Sequence, residues 1–156
     1  MSFWDTIRVG ERVDLGSHLF EAADIQRFAG KFDPQLFHLD AEAAKASVLG
    51  GLCASGWHTV AVFMRLNVDT TKRVVAEFVE GGGTAPKVGP SPGVTELRWL
   101  RPVFAGDTIR FFQTVTAKRI SGTRHGWGVM ETTAGGENQN GELVFSMKAA
   151  AFMGTD

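Results

Sequence analysis

Residues 52–66 read LCASGWHTVAVFMRL, and this stretch decides the fold. Its apolar side chains leave so few polar positions that a helix over Leu52–Leu66 would be hydrophobic on nearly every face. A helix of this kind belongs in the interior of a protein rather than on its surface. The sequence therefore predicts a long apolar helix at the centre of the molecule.

The spacing of apolar residues along the chain changes near residue 90. Before that point the apolar residues follow mostly helical spacing, whereas later β-branched and aromatic runs alternate with turn residues. This separation of helices from strands is typical of an α+β fold. The late strands are predicted as an antiparallel meander over Val94–Leu100, Asp107–Ile120, Gly126–Thr133 and Glu142–Met153.

The N-terminal part carries shorter predicted elements. A strand is expected over Arg12–Phe20, followed by a helix over Ala23–Ala29 that Gly30 ends. A second helix is predicted over Asp69–Val79, and a connector rich in glycine and proline follows over Gly81–Gly93. No internal repeat interrupts this order.

Composition limits the classes of function. With 156 residues, 44% of them hydrophobic, residues 1–156 fit a single domain with a sizeable core. Sixteen basic and 17 acidic residues give a net charge of −1 without a charged block, which argues against a nucleic-acid partner. No segment reaches the roughly 18 apolar residues of a membrane span, and the N-terminus does not resemble a secretion signal. The lone Cys53, expected as a buried small side chain, fits a soluble, cytoplasmic protein.

A carboxylate and an imidazole stand five positions apart in the segment DPQLFH, residues 33–38. Pro34 disfavours helical geometry at Asp33, so this carboxylate is predicted in a loop, and Asp40 is predicted to cap the short helix Ala41–Ala46. An imidazole exchanges protons near neutral pH, so Asp33 and His38 are candidates for acid–base catalysis. The alternative is structural: Asp33 makes an Asx-type turn, and His38 is a packed histidine.

Two glycines precede the apolar helix. A helix start has free backbone amides, and glycine lets an anionic oxygen approach them closely. Gly50 and Gly51 are therefore candidates for an anion-binding turn, with a tight helix start as the alternative interpretation. His58, inside the predicted helix, is expected to be a packed or interface histidine.

Several segments occur in the order found in one known family. These segments are the Asp33/His38 spacing with Leu39 and Asp40, GGLCASGWHT at 50–59, ELRWLRPVFAGDT at 96–108 and NQNGE at 138–142. Together they resemble the MaoC-like dehydratases, also called R-specific enoyl-CoA hydratases, from about Phe28 to Met153. The resemblance implies the hotdog fold, in which a curved antiparallel sheet wraps a long central helix and two subunits join their sheets edge to edge.

The resemblance also implies an activity. Such enzymes interconvert 2-enoyl and (R)-3-hydroxyacyl thioesters, here with an acyl-CoA as the expected substrate. Asp33 and His38 would then transfer protons to and from water and the substrate, with the order of their roles open. The family implies neither a metal nor a cofactor in this chemistry, and it implies a homodimer that can assemble further.

Other residues are assigned through the same resemblance. The Gly51 amide is expected to bind the thioester oxygen, with Gly50 or Leu52 beside it. A helix hydroxyl can assist in the family, and Ser55 is the candidate here, although an ungapped comparison places Gly56 at the matching point. Two further residues, Arg98 and Arg101, are candidates for contacts with CoA phosphates.

One departure from the family concerns the loop. Better-known members have one residue and then Asn-Pro after the aspartate, whereas here Pro34 follows Asp33 directly and Gln35 takes the place of the amide. Two alternatives to a hydratase stay open: a hotdog thioesterase, which cleaves the acyl–sulfur bond, and a non-catalytic acyl-binding subunit.

Overall fold

The long helix begins later and ends later than the sequence predicts. A computed structural model, which describes all of residues 1–156, contains five helices, α1–α5, and five strands, β1–β5. The longest is α5, a single helix of 25 residues over Gly56–Glu80. It joins the two predicted helices, because the two residues between them, Asn67 and Val68, include no proline or glycine to end it. Leu52–Ala54 is not helical: the Ala54 amide donates to the Val103 carbonyl at 2.8 Å. The predicted helix start at Leu52 is therefore wrong.

Only part of α5 is enclosed by the protomer. Phe63 is fully buried against the sheet, whereas Trp57 and Met64 are 56% and 46% exposed. From Arg65 onward the helix carries surface ion pairs between residues one turn apart, Arg65 with Asp69 and Arg73 with Glu77. The expectation of a helix buried on every face is thus wrong for the single protomer.

The five strands form one antiparallel sheet in the order β1-β3-β4-β5-β2. The predicted meander holds for β3, β4 and β5, but β2 pairs with β5 at the far edge and not with β3, which follows it in the chain. The strand bounds are β1 Arg12–Leu19, β2 Gly93–Trp99, β3 Thr108–Ile120, β4 Trp127–Glu137 and β5 Leu143–Gly154. Helices and an antiparallel sheet confirm the α+β class.

Four short helices complete the fold, and two of them flank the loop that carries Asp33. Gly30 does not end α2, because the helix continues for two more residues before Asp33 leaves helical geometry at φ −153°. Pro34 accounts for that ending, since a proline disfavours helical geometry in the residue before it. The predicted cap at Asp40 is confirmed: its side chain accepts hydrogen bonds from the amides of Glu42 and Ala43. The bounds are α1 Phe3–Thr6, α2 Ala22–Phe32, α3 Leu36–Leu39 and α4 Ala41–Lys45.

The core lies between α5, α2 and the inner face of the sheet. Aromatic rings link the layers: the centroid of Phe63 on α5 lies 5.6 Å from that of Phe145 on β5. The largest fully buried side chains include Phe20, Ile25, Ile109, Phe111 and Val144. None of the helices combines the length and apolarity that crossing a membrane requires.

Candidate active site

Asp33, in the loop between α2 and α3, meets His38, which lies on α3. The distance between Asp33 Oδ2 and His38 Nε2 is 3.3 Å, and the two side chains are only 18% and 7% exposed. The short helix α3 turns the chain so that residues five apart face each other. The structure thus brings together the two residues that the sequence singled out.

The backbone of Cys53 fixes the imidazole ring. His38 Nδ1 lies 2.6 Å from the Cys53 carbonyl oxygen, and because a carbonyl only accepts, Nδ1 must carry a proton and donate it. In a neutral ring, Nε2 would then carry no proton and would face the carboxylate of Asp33. A hydrogen bond between the two residues therefore requires one more proton, carried by His38 as an imidazolium or by Asp33.

Two further donors hold the Asp33 carboxylate. Ser55 Oγ donates to Oδ2 at 2.7 Å, and Gln35 Nε2 donates to Oδ1 at 2.6 Å. Burial acts to raise the pKa of Asp33, but the hydrogen bonds from Gln35 and Ser55 and the nearby His38 outweigh it and lower the pKa. Asp33 is thus a carboxylate at neutral pH.

The free amides at the start of α5 belong to other residues than predicted. Gly50 and Gly51 lie in the turn before Leu52, several residues ahead of the helix. The amides of His58 and Thr59 donate to the Ser55 carbonyl, and the Ser55 side chain does not cap the helix. The first helical amides, those of Gly56 and Trp57, therefore lack an intrahelical partner.

A tryptophan at the end of edge strand β2 packs against Gly56, the first residue of α5. A Cβ atom added to Gly56 would lie 2.3 Å from Cε2 of Trp99, a distance that no side chain tolerates. Trp99 also packs edge-on against Trp57, with centroids 5.1 Å apart. Position 56 must be glycine for Trp99 to lie where it does.

The two arginines assigned to CoA are on the surface at the end of β2. Arg98 is exposed, and Arg101 pairs with Glu142 at 3.0 Å. Neither makes a hydrogen bond or an ion pair with Asp33 or His38. Both are free to meet a ligand from solvent, although Arg101 would have to share its charge with Glu142.

His58 is packed in the protein, as the sequence predicts. Its ring stacks on Phe28 with centroids 4.6 Å apart, and Nδ1 is buried without a hydrogen-bond partner. Burial, with a smaller contribution from His18, lowers the pKa of His58 to about 4, although Asp24 acts in the opposite direction. His58 is therefore uncharged at neutral pH and borders a cavity of about 350 Å³ between α2 and α5.

A larger cavity lies elsewhere, between the middle of α5 and the inner face of the sheet. It measures about 480 Å³ and does not include Asp33 or His38. Its walls are mostly apolar, with Met64 and Val68 from the helix facing Met147, Ala149 and Ala151 from β5. The small alanines leave space that larger side chains would fill.

Comparison with known proteins decides the family. Residues 4–135 match the sequence model of the family described as MaoC like domain. The chain belongs to this family. A MaoC-like dehydratase from Rhodospirillum rubrum is 37% identical in sequence, with a TM-score of 0.78 over 99% of this chain and 97% of that one.

Two more distant structures support the fold of this MaoC-like protein. An (R)-hydratase from A. caviae involved in PHA biosynthesis is 22% identical, with a TM-score of 0.67 over 94% of this chain and 96% of that one. A Mycobacterium tuberculosis protein with a double hotdog fold is 18% identical, with a TM-score of 0.76, and this chain covers 44% of it. The hotdog fold predicted from the sequence is confirmed.

Sequence reasoning missed two contacts of the MaoC-like site. The carbonyl of Cys53 is a backbone group, so no residue type marks it as the partner of His38. Ser55 was singled out as a helper at the thioester oxygen, whereas in the structure its hydroxyl points to Asp33.

For metal binding, no three histidine, cysteine, aspartate or glutamate side chains lie together as ligands.

Proposed function

We propose that this MaoC-like protein is a hydratase or dehydratase that interconverts 2-enoyl and (R)-3-hydroxyacyl thioesters of CoA. The observation that carries the proposal is the contact of Asp33 Oδ2 with His38 Nε2 at 3.3 Å, close to the start of a helix with free amides. Family membership supports the reaction class. Hydration of an enoyl thioester needs a base, an acid and donors for the thioester oxygen, and these residues can supply all three.

We propose an order of events in which ionised Asp33 is the base and His38, in its imidazolium form, is the acid. In the hydration direction, ionised Asp33 accepts a proton from water while the water oxygen bonds to the β-carbon. The His38 imidazolium donates its Nε2 proton to the α-carbon. The proton on Asp33 then passes to His38 across their contact, which restores both groups and adds one water to the double bond.

The thioester oxygen gains negative charge during this reaction and needs hydrogen-bond donors. We propose the amides of Gly56 and Trp57 for this task, because they open α5 directly after Ser55. Gly50, Gly51 and Leu52 would line the approach to this point. The positive end of the α5 dipole would add to the stabilisation of the developing oxyanion.

The apolar cavity beside α5 suggests where the acyl chain binds. Phe63, the first residue of α5 that lines it, lies seven residues after Gly56, so the cavity begins about 10 Å along the helix at a rise of roughly 1.5 Å per residue. A mostly apolar cavity of about 480 Å³ suits an acyl chain. Arg98 and Arg101, on the surface, are proposed to contact the CoA phosphates.

Crotonyl-CoA tests the proposed reaction directly. We expect the purified protein to remove the enoyl absorbance of crotonyl-CoA without releasing free thiol. Release of free thiol would instead identify a thioesterase, and binding without either change would identify a non-catalytic acyl-binding subunit. A panel of enoyl-CoA esters with longer chains then tests the cavity, since activity should persist until the chain exceeds its length.

We also propose that residues 1–156 form one hotdog domain that assembles as a homodimer or a higher oligomer. Trp57 and Trp99, 56% and 46% exposed, lie together beside edge strand β2 and the start of α5. Exposed aromatic side chains of this kind are typical of interfaces. Sedimentation velocity is expected to give at least a dimer, and a strictly monomeric profile at micromolar concentration would contradict it.

A further inference from the structure

We propose that Ser55 is a positioning residue whose hydroxyl holds the carboxylate of Asp33 in place instead of capping helix α5. Serine at the residue before a helix ordinarily accepts a hydrogen bond from an amide of the first turn. Here Ser55 makes no such bond, and its Oγ donates to Asp33 Oδ2 at 2.7 Å. The hydroxyl therefore serves Asp33 rather than the helix.

The surroundings of Ser55 make this hydrogen bond strong and persistent. Ser55 is 0% exposed, so water does not compete for its hydroxyl. A buried hydroxyl without a partner is costly, and a hydrogen bond to a charged group is stronger than one between neutral groups. Gln35, the other donor to Asp33, is exposed, so water can replace it when its side chain is removed. The hydrogen bond from Ser55 to Asp33 is therefore the one that a water molecule cannot replace.

The two oxygens of Asp33 have different partners as a result. Oδ2 receives the hydrogen bond from Ser55 and also faces His38 Nε2 at 3.3 Å. Oδ1 has only the exposed Gln35 as donor. Ser55 thus anchors the inner oxygen of the carboxylate and leaves the outer one for a water molecule.

The orientation of Ser55 has a second effect. Because the hydroxyl is turned toward Asp33, it does not occupy the amide of Trp57, which an N-terminal cap can use. One side chain thus holds the acid–base pair together and keeps the helix start open. The kinetic part of this inference rests on the proposed hydratase function, whereas the link between Ser55 and Asp33 does not.

Direct titration of Asp33 tests that link without any assay of activity. The carboxyl carbon of Asp33 is followed by NMR in protein labelled at aspartate, with Asp33→Asn identifying the signal. We expect Ser55→Ala to raise the pKa of Asp33 by about one unit and Gln35→Ala to raise it less. Ser47→Ala removes a hydroxyl that donates to the Ala44 carbonyl at 2.6 Å, and it should leave the pKa of Asp33 unchanged.

Kinetics provide a second readout. Ionised Asp33 is required for hydration, so turnover falls as the pH falls through its pKa, and Ser55→Ala should move that fall to higher pH. We expect kcat to drop about tenfold with little change in KM, as misplacement of a catalytic group predicts. If Ser55→Ala does not fold, as judged by circular dichroism, Ser55→Cys keeps a weak donor and should give a smaller shift in the same direction.

The outcomes separate this inference from the proposed function. An unchanged pKa of Asp33 in a folded Ser55 variant would overturn the positioning role, whatever the activity of the protein. A protein without hydratase activity in which Ser55→Ala still raises the pKa of Asp33 would support the positioning role and disprove only the proposed reaction.

Discussion

We expect Asp33→Asn and His38→Gln each to lower the turnover of crotonyl-CoA by at least about 10²-fold, since positioned acid–base groups contribute about 10²–10⁴-fold. Asparagine keeps the shape of Asp33 but cannot accept the proton of water. Glutamine at position 38 can still approach the Cys53 carbonyl, which His38 Nδ1 contacts at 2.6 Å, but it cannot deliver a proton. Steady-state rates at pH 7 measure both effects.

Matched control variants distinguish a loss of catalysis from the general effect of removing a carboxylate or an imidazole. Asp14→Asn removes a carboxylate that pairs with Arg110 on the surface, and His125→Gln removes an exposed imidazole. Both controls should keep the wild-type rate, and thermal unfolding should show that all four variants fold. Rates close to wild type in Asp33→Asn and His38→Gln would exclude the pair from the mechanism.

Acidification should destabilise the protein through His58. Burial lowers its pKa in the folded protein to about 4, whereas the ordinary value is 6.5. The unfolded chain therefore binds more protons between these values, and stability that is fully present above pH 6.5 is lost as the pH falls toward 4. The difference corresponds to about 3 kcal/mol in the free energy of unfolding, at roughly 1.4 kcal/mol per pKa unit.

Urea unfolding at pH 7 and pH 4.5 measures this loss. In His58→Gln the side chain at position 58 does not titrate, so the free energy of unfolding should change much less between the two pH values. Substitution of the exposed His125 by Gln serves as the control and should retain the pH dependence of the wild type. An equal pH dependence in His58→Gln and wild type would show that other groups cause the destabilisation.

The parts of the fold that follow from local sequence were predictable. Alternating runs identified the strands, Pro34 placed Asp33 outside a helix, and Asp40 capped the next helix as expected. The pairing of Asp33 with His38 followed from their five-residue spacing together with the family resemblance, and the two residues lie on a loop and the short helix directly after it. These features depend on residues that are near one another in the chain.

The features that depend on distant contacts could not be predicted in this way. Leu52–Ala54 has an apolar sequence suited to a helix, but hydrogen bonds to the segment around Val103 keep it extended, and α5 therefore begins at Gly56. The position of β2 beside β5 is likewise a matter of topology, not of composition. The partner of Asp33 at Ser55 lies 22 residues away along the chain, beyond any local pattern.

The hydrogen bonds between Leu52–Ala54 and the segment Val103–Ala105 have a consequence for how the site comes into being. The Ala54 amide donates to the Val103 carbonyl, and the Ala105 amide donates to the Leu52 carbonyl. These hydrogen bonds hold the extended residues around Cys53 against a segment that follows β2. An N-terminal fragment that stops within residues 81–92 would lack these two hydrogen bonds. During synthesis, we expect the ring of His38 to acquire its fixed orientation only after residues 103–105 have left the ribosome.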